Sequence, residues 1–270
     1  MTETQSRPGT SRLLLYIVLP VLMFLSLSSW ALASPVGSSP DDDFHLASTW
    51  CGLGLREGLC EAGTTAAERK VPALIKDGAE CYKFAPAESA ACQDALPRSS
   101  SASLVDSNRV NSAGLYPPVY YAVMAVFATD DIEASVIAMR LLNIVIFVAM
   151  WVGVYALLPR RRRSTLVWSW IIGIVPLGMF LIASNNPSSW AVISGGIGWI
   201  ALVGYFETRG RQRIALGMLA LVAAALGAGA RADSALYAVL GAVVRVELRL
   251  GGASSTAQAK SCSTGVTAPT

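Results

Sequence analysis

Charge is scarce in this chain and histidine is almost absent. Only 14% of the 270 residues are charged, and His45 is the single histidine. So little charge leaves too little polar surface for a soluble domain of this size, and a formal net charge of +3 calls for no nucleic-acid partner. No second histidine exists to complete a Cys₂His₂ zinc site, and the cysteines lack the short gaps of zinc knuckles. The long apolar runs carry almost no ionisable residue near their centres, which disfavours an ion-coupled transporter. What the chain has in plenty is hydrophobicity. At 53% hydrophobic residues and a mean hydropathy of +0.50 it reads as an all-α, polytopic transmembrane helical protein.

Residues 1–12 are polar and carry two arginines, so they are expected in the cytoplasm. The first apolar run, 13–33, is long enough to cross a bilayer as a helix. A cleaved signal peptide ending at the small residues Ala31 to Ala33 competes with that reading, but its apolar core is usually only about 7–15 residues. Either way the chain from Ser34 lies outside the cytoplasm. Residues 34–134 form a large extracytoplasmic loop, and its stretch from Ser34 to Leu115 holds eleven acidic and seven basic residues. Within it, Thr64 to Ile75 is expected as an amphipathic helix and Pro97 to Ser103 as a flexible connector.

The apolar part of Leu115 to Asp131 is too short to span, and arginine placement decides its position. If it crossed, Arg160 to Arg163 would lie outside, against the positive-inside rule; a helix near 117–128 resting on the outer interface puts them inside. Residues 135–244 then form a bundle with spans at 141–158, 166–183, 190–206 and 214–230 and a partial one at 235–244. Residues 245–270 read as a disordered tail. The expected location is the cell membrane, multi-pass, with the N-terminus cytoplasmic.

Four of the five cysteines, Cys51, Cys60, Cys81 and Cys92, fall in the outer loop. An even number in one exported segment suggests two disulfides, among three pairings.

Four features collect on the outer side: Pro40 to His45 (PDDDFH), Tyr116 to Tyr121 (YPPVYY), Ser184 to Trp190 (SNNPSSW), and Arg231 with Asp233. Asp41 or Asp42 can deprotonate an attacking hydroxyl, and Arg140 or Arg231 can hold a phosphate with paired guanidinium donors. Plainer roles compete: a solvated acidic run, His45 as a loop cap, Arg140 snorkelling at a helix end, an interfacial anchor at YPPVYY and an ordinary Asn-Pro turn. Pro117 and Pro118 must start a helix or precede one, because neither has an N–H to donate.

In this order the motifs resemble the GT-C membrane glycosyltransferases, and most closely the membrane-protein family called domain of unknown function 2142. Pro40, Asp41, Asp42 and His45 match an acidic motif with a following histidine; Pro117, Pro118 and Tyr121 match a Pro-Pro motif on an outer juxtamembrane helix; Arg140 and Leu141 match an arginine-leucine helix start. Asn186 and Pro187 match an asparagine-proline turn, with Ser188 where an acidic residue is expected. The resemblance implies sugar transfer on the outer membrane face from a polyprenyl-phosphate donor to a cell-envelope acceptor, with Asp41 or Asp42 as base beside His45. Tyr116, Pro117, Pro118, Tyr121, Arg140, Asn186, Arg231 and Asp233 would line the substrate site. It implies no tightly bound cofactor, with a divalent cation used in some branches, and membrane lipid as a partner. GT-C enzymes generally have more spans, so the chain is expected to be a truncated member, and a non-catalytic paralogue or assembly subunit is the competing expectation.

Overall fold

A helical bundle carries a folded cap at one end, and a single long helix runs through both. The computed structural model describes residues 14–244 and Glu247. The expectations for residues 1–12 and the tail from 245 lie outside the described residues.

The first span, Tyr16–Ala33, opens with a π-helical turn and continues as α1 (Leu19–Ala33). The chain then enters the cap through α2 (Asp42–Trp50), an antiparallel sheet in the order β1 (Glu61–Ala62), β2 (Arg69–Pro72), β3 (Leu104–Ser107), and the short helices α3 (Ala73–Asp77) and α4 (Pro118–Ala125). It returns to the bundle through α5 (Ile132–Leu157), α6 (Arg160–Gly173), α7 (Pro176–Ile182), α8 (Ser188–Glu207), α9 (Gly210–Ala230) and α10 (Ala232–Val244). Tyr16–Ala33, α5, α8 and α9 are each long and apolar enough to cross a membrane.

Two cores divide the interior. The bundle core gathers Leu27, Ile144, Phe147, Trp151, Ile197 and Leu216. The cap core gathers Leu46, Trp50, Val71, Ile75, Tyr120 and Met124, and it takes Ile132, Val136 and Met139 from the first turns of α5. Helix α5 is 26 residues long, about 39 Å at the usual rise, so one end can anchor the cap while the other spans the bundle. Its start is fixed by Asp131, whose carboxylate accepts from Ala134 N at 3.0 Å.

The disulfides pair neighbours, Cys51–Cys60 and Cys81–Cys92. Several expectations are corrected. Ser34 to Thr49 is not all loop, because the chain turns helical at Asp42; Asp42 and Asp43 then lie in the first turn, where carboxylates favour the helix dipole. Thr64 to Ile75 is not one helix. Pro72 ends β2 and precedes α3, and Glu61 pairs with Lys70 while Val71 pairs with Val105. Pro97 to Ser103 is not a loose connector: Ser100 N donates to Asp130 O at 2.7 Å, Ser101 N to Asp130 Oδ1 at 2.8 Å, and Trp50 Nε1 to Ser100 Oγ at 2.9 Å. Arg140 and Leu141 do not start a helix but lie inside α5, which begins at Ile132. Finally, 166–183 is not one continuous span, since α6 and α7 meet at 102°. Pro176 cannot donate to the preceding turn and pushes Val175 into the extended conformation observed there.

Candidate functional site

The three aspartates at the entry to α2 have three different surroundings. Asp41 is exposed and is the one non-glycine residue among those described with positive φ, at 56°. Its backbone oxygen receives Phe44 N and His45 N, which starts the helix, and its carboxylate meets Arg109 Nη2 at 3.0 Å. Asp43 is buried and taken up by the Arg109 guanidinium, with Lys83 Nζ at 3.9 Å. Asp42 is 1% exposed; Ser39 N reaches its Oδ2 at 3.2 Å, while Oδ1 has no partner among the described residues. Burial pushes the Asp42 carboxyl up to about 6, an effect that the positive charge of Arg140 partly offsets. A solvated acidic run therefore describes Asp41 alone.

His45 projects from the next turn of α2 into an aromatic wall. Its Nδ1 is 2.9 Å from the Tyr121 hydroxyl, its ring meets Tyr116 edge-on at 5.2 Å, and it is 2% exposed. Burial lowers its pKa to about 4, so the imidazole is neutral at physiological pH and serves as a hydrogen-bond partner of Tyr121 rather than a loop cap. Burial also raises Tyr121 well above the usual phenol range, so it keeps its proton. Pro117 and Pro118 set the start of α4, which turns Tyr120 and Tyr121 inward, and Asn111 holds the Tyr116 backbone with bonds to its N and O at 3.0 and 2.8 Å.

The bundle contributes the other side. The Arg231 guanidinium carbon lies 5.6 Å from the Tyr116 ring centroid, Nη1 donates to Ser188 Oγ at 3.1 Å, and Nε contacts Asp233 Oδ1 at 3.1 Å. Asn186 Nδ2 donates to Pro40 O at 2.9 Å and its Oδ1 accepts Ser188 N at 2.8 Å, so the Asn-Pro turn clamps the acidic segment. Beside it, Asn185 buries both amide atoms without a protein partner among the described residues.

Arg140 does not snorkel, because its guanidinium is turned into the protein. It is 1% exposed and donates to Ala31 O at 3.0 Å, Ser34 O at 2.6 Å and Pro35 O at 2.9 Å. Ala31 O is left unpaired at the end of α1 because Pro35 has no N–H to reach it, and Ser34 and Pro35 follow that end. Asp41, Asp42, His45, Tyr116, Tyr121, Asn186, Arg231 and Asp233 thus gather around one end of the bundle, while Arg140 fastens that end from below. Arg109 and Lys83 belong to the same neighbourhood and were missed from sequence, whereas Ser188 and Asn185 lie in the SNNPSSW turn already singled out but were given no role of their own. Arg109 is the one cation between Arg98 and Arg140, but nothing in the sequence paired it with Asp43.

Residues 24–265 match the family described as "Predicted membrane protein (DUF2142)". No curated protein and no solved structure matches the chain.

Proposed function

The chain belongs to the DUF2142 family of predicted membrane proteins, and from that premise we propose that it is an integral membrane glycosyltransferase-like protein, transferring a sugar from a polyprenyl-phosphate donor to a cell-envelope acceptor at the outer membrane face. The observation that carries the reading is convergence. Four motifs spread over nearly two hundred residues meet through Asn186–Pro40, His45–Tyr121, Tyr116–Arg231 and Arg231–Ser188 contacts.

In this reading Asp41 is the base. A base must first be within reach of the proton it takes, and Asp41, though one oxygen meets Arg109, is exposed, whereas Asp42 and Asp43 are both buried. The acceptor hydroxyl gives its proton to Asp41 as its oxygen bonds to the anomeric carbon. The bond from that carbon to the phosphate oxygen breaks, and the polyprenyl phosphate leaves as an anion with inversion at the sugar. Arg231 receives that charge, since a guanidinium offers paired donors to phosphate oxygens. Tyr116, Tyr121 and His45 form the wall against which the sugar rests, and no step is assigned to a metal. The N-terminus and the arginine turns at Arg160 to Arg163 and Arg209 to Arg213 face the cytoplasm.

A second reading has its own support: Asp43, Asn186 and Arg140 are each occupied in holding the cap, as expected of a non-catalytic assembly subunit. Replacement of Asp41 by Asn separates the two. Asn tolerates positive φ, so the fold is kept while the base is removed. Envelope glycan made in cells that carry only the variant should fall by a factor of about 100 or more at normal protein level. Unchanged glycan would leave the assembly reading standing.

A further inference from the structure

An apolar groove of about 730 Å³ runs between α8, α9 and α10, from Ala191 and Ser234 beside the cap to Tyr205 and Ile214 at the opposite end of the bundle. It carries no charged residue in its wall, and near the arginine-bearing end it is lined by Leu202, Tyr205, Ile214, Gly217 and Met218. Gly217 keeps this end open, because a Cβ there would lie 3.0 Å from the Tyr205 ring. A volume of this size falls within the roughly 300–1,000 Å³ of small-molecule sites, but the groove is open along its side, as suits a chain entering from surrounding hydrocarbon.

The charges at its mouth are not balanced. Arg161 and Arg162 share the single carboxylate of Glu207, and Arg163 is turned to the Leu158 and Ala156 carbonyls and to the Tyr155 ring. Arg213 stacks on Tyr205 at 4.5 Å with Nη2 3.0 Å from its hydroxyl, which fixes one guanidinium at the end of the groove. Arg209 and Arg211 are exposed and make no ion pair among the described residues. Helix α9 begins between them with no side-chain cap and no acidic residue in its first turn, so its partial positive charge adds to theirs.

We infer that this end of α8–α9 binds an anionic phospholipid, its acyl chain in the Tyr205–Met218 groove and its phosphate on Arg209, Arg211 and Arg213. Its arginines lie at the other end of α9 from Arg231 of the proposed transfer site, and the inference does not depend on that reading. Charge complementarity chooses the occupant. A neutral lipid would leave the arginines unanswered, and a soluble anion would leave the groove unfilled.

The test titrates the purified chain in detergent with dioleoyl phosphatidylglycerol, dioleoyl phosphatidylcholine or inorganic phosphate, with bound lipid counted by native mass spectrometry. Phosphatidylglycerol should bind at least tenfold more tightly than phosphatidylcholine. That preference should fall roughly tenfold in R209Q/R211Q, persist in R209K/R211K, and be unaffected by R231Q. Ala224→Trp, which fills the groove with the arginines intact, should lower binding of both lipids. Inorganic phosphate at millimolar concentration should displace neither. Equal affinity for the two lipids, an unchanged preference in R209Q/R211Q, loss of binding in R231Q, displacement by phosphate, or undiminished binding in A224W would each overturn the proposal.

Discussion

The cap and the bundle solve the same packing problem with different materials. In the cap, an apolar core is joined by polar groups buried with named partners: Trp50 on Ser100, Gln93 on the Val36 and Gly78 carbonyls at 2.7 Å each, His45 on Tyr121, and two disulfides close short loops. In the bundle nearly every contact is apolar, and its irregularities come from backbone features, the Pro176 break and the π-helical Ser194–Gly198. A region held by specific polar contacts should fail steeply when one partner goes. One held by many interchangeable apolar contacts should fail gradually.

The sharpest break of that contrast is Arg140→Met. It leaves the Ala31, Ser34 and Pro35 carbonyls without their donors and should cost about 3–5 kcal/mol, read as a fall in the melting temperature of the detergent-solubilised chain. Lysine at this position should restore only part of the loss, because one ammonium cannot reach all three oxygens in the guanidinium's geometry.

Next in size is pH. Asp42, raised to about 6, contributes stability that is present at acidic pH and lost as pH rises through 6. His45, lowered to about 4, contributes stability that is present above its ordinary pKa and lost as pH falls towards 4. Each is worth up to about 3 kcal/mol, and the two slopes oppose one another over the same window. A pH scan of thermal stability should therefore be nearly flat for the unaltered chain, rise with pH for Asp42→Asn and fall with pH for His45→Gln. Parallel curves for all three would remove these groups from the account.

Removing Cys51 and Cys60 together should cost roughly 2–3 kcal/mol, with the loss confined to the cap. Protease sensitivity should appear between Cys51 and Arg69 while the bundle's spans stay protected. The smallest effect belongs to the bundle's far end: Arg162→Gln should change stability by no more than about 1 kcal/mol, since that guanidinium is partly exposed.

The same contrast explains what was legible beforehand. Apolar length revealed the spans at Tyr16–Ala33, α5, α8 and α9, and an even cysteine count in one exported segment revealed two disulfides. Pro117 and Pro118 marked the start of α4, because missing N–H groups leave few other places for them. The cap's sheet was not legible. Its first strand has two residues, and β2 gains its partners from Leu104 to Ser107, more than thirty residues away, with no periodic pattern to announce them. Helix α2 was hidden because its burial comes from tertiary contacts of Leu46 and Trp50, not from an apolar stripe. The break between α6 and α7 was marked by Pro176, but hydropathy alone ran through it. At the site the residue types were visible and their division of labour was not: three consecutive aspartates look alike until Arg109 and burial separate them.

The most direct test of the central claim measures where a polyprenyl phosphate, the leaving group of the proposed transfer, binds. With native mass spectrometry on the purified R209Q/R211Q chain, in which the second anionic-lipid site is removed, Arg231→Gln should weaken its binding about tenfold. Binding indifferent to Arg231 in that background would contradict a transfer site at the cap.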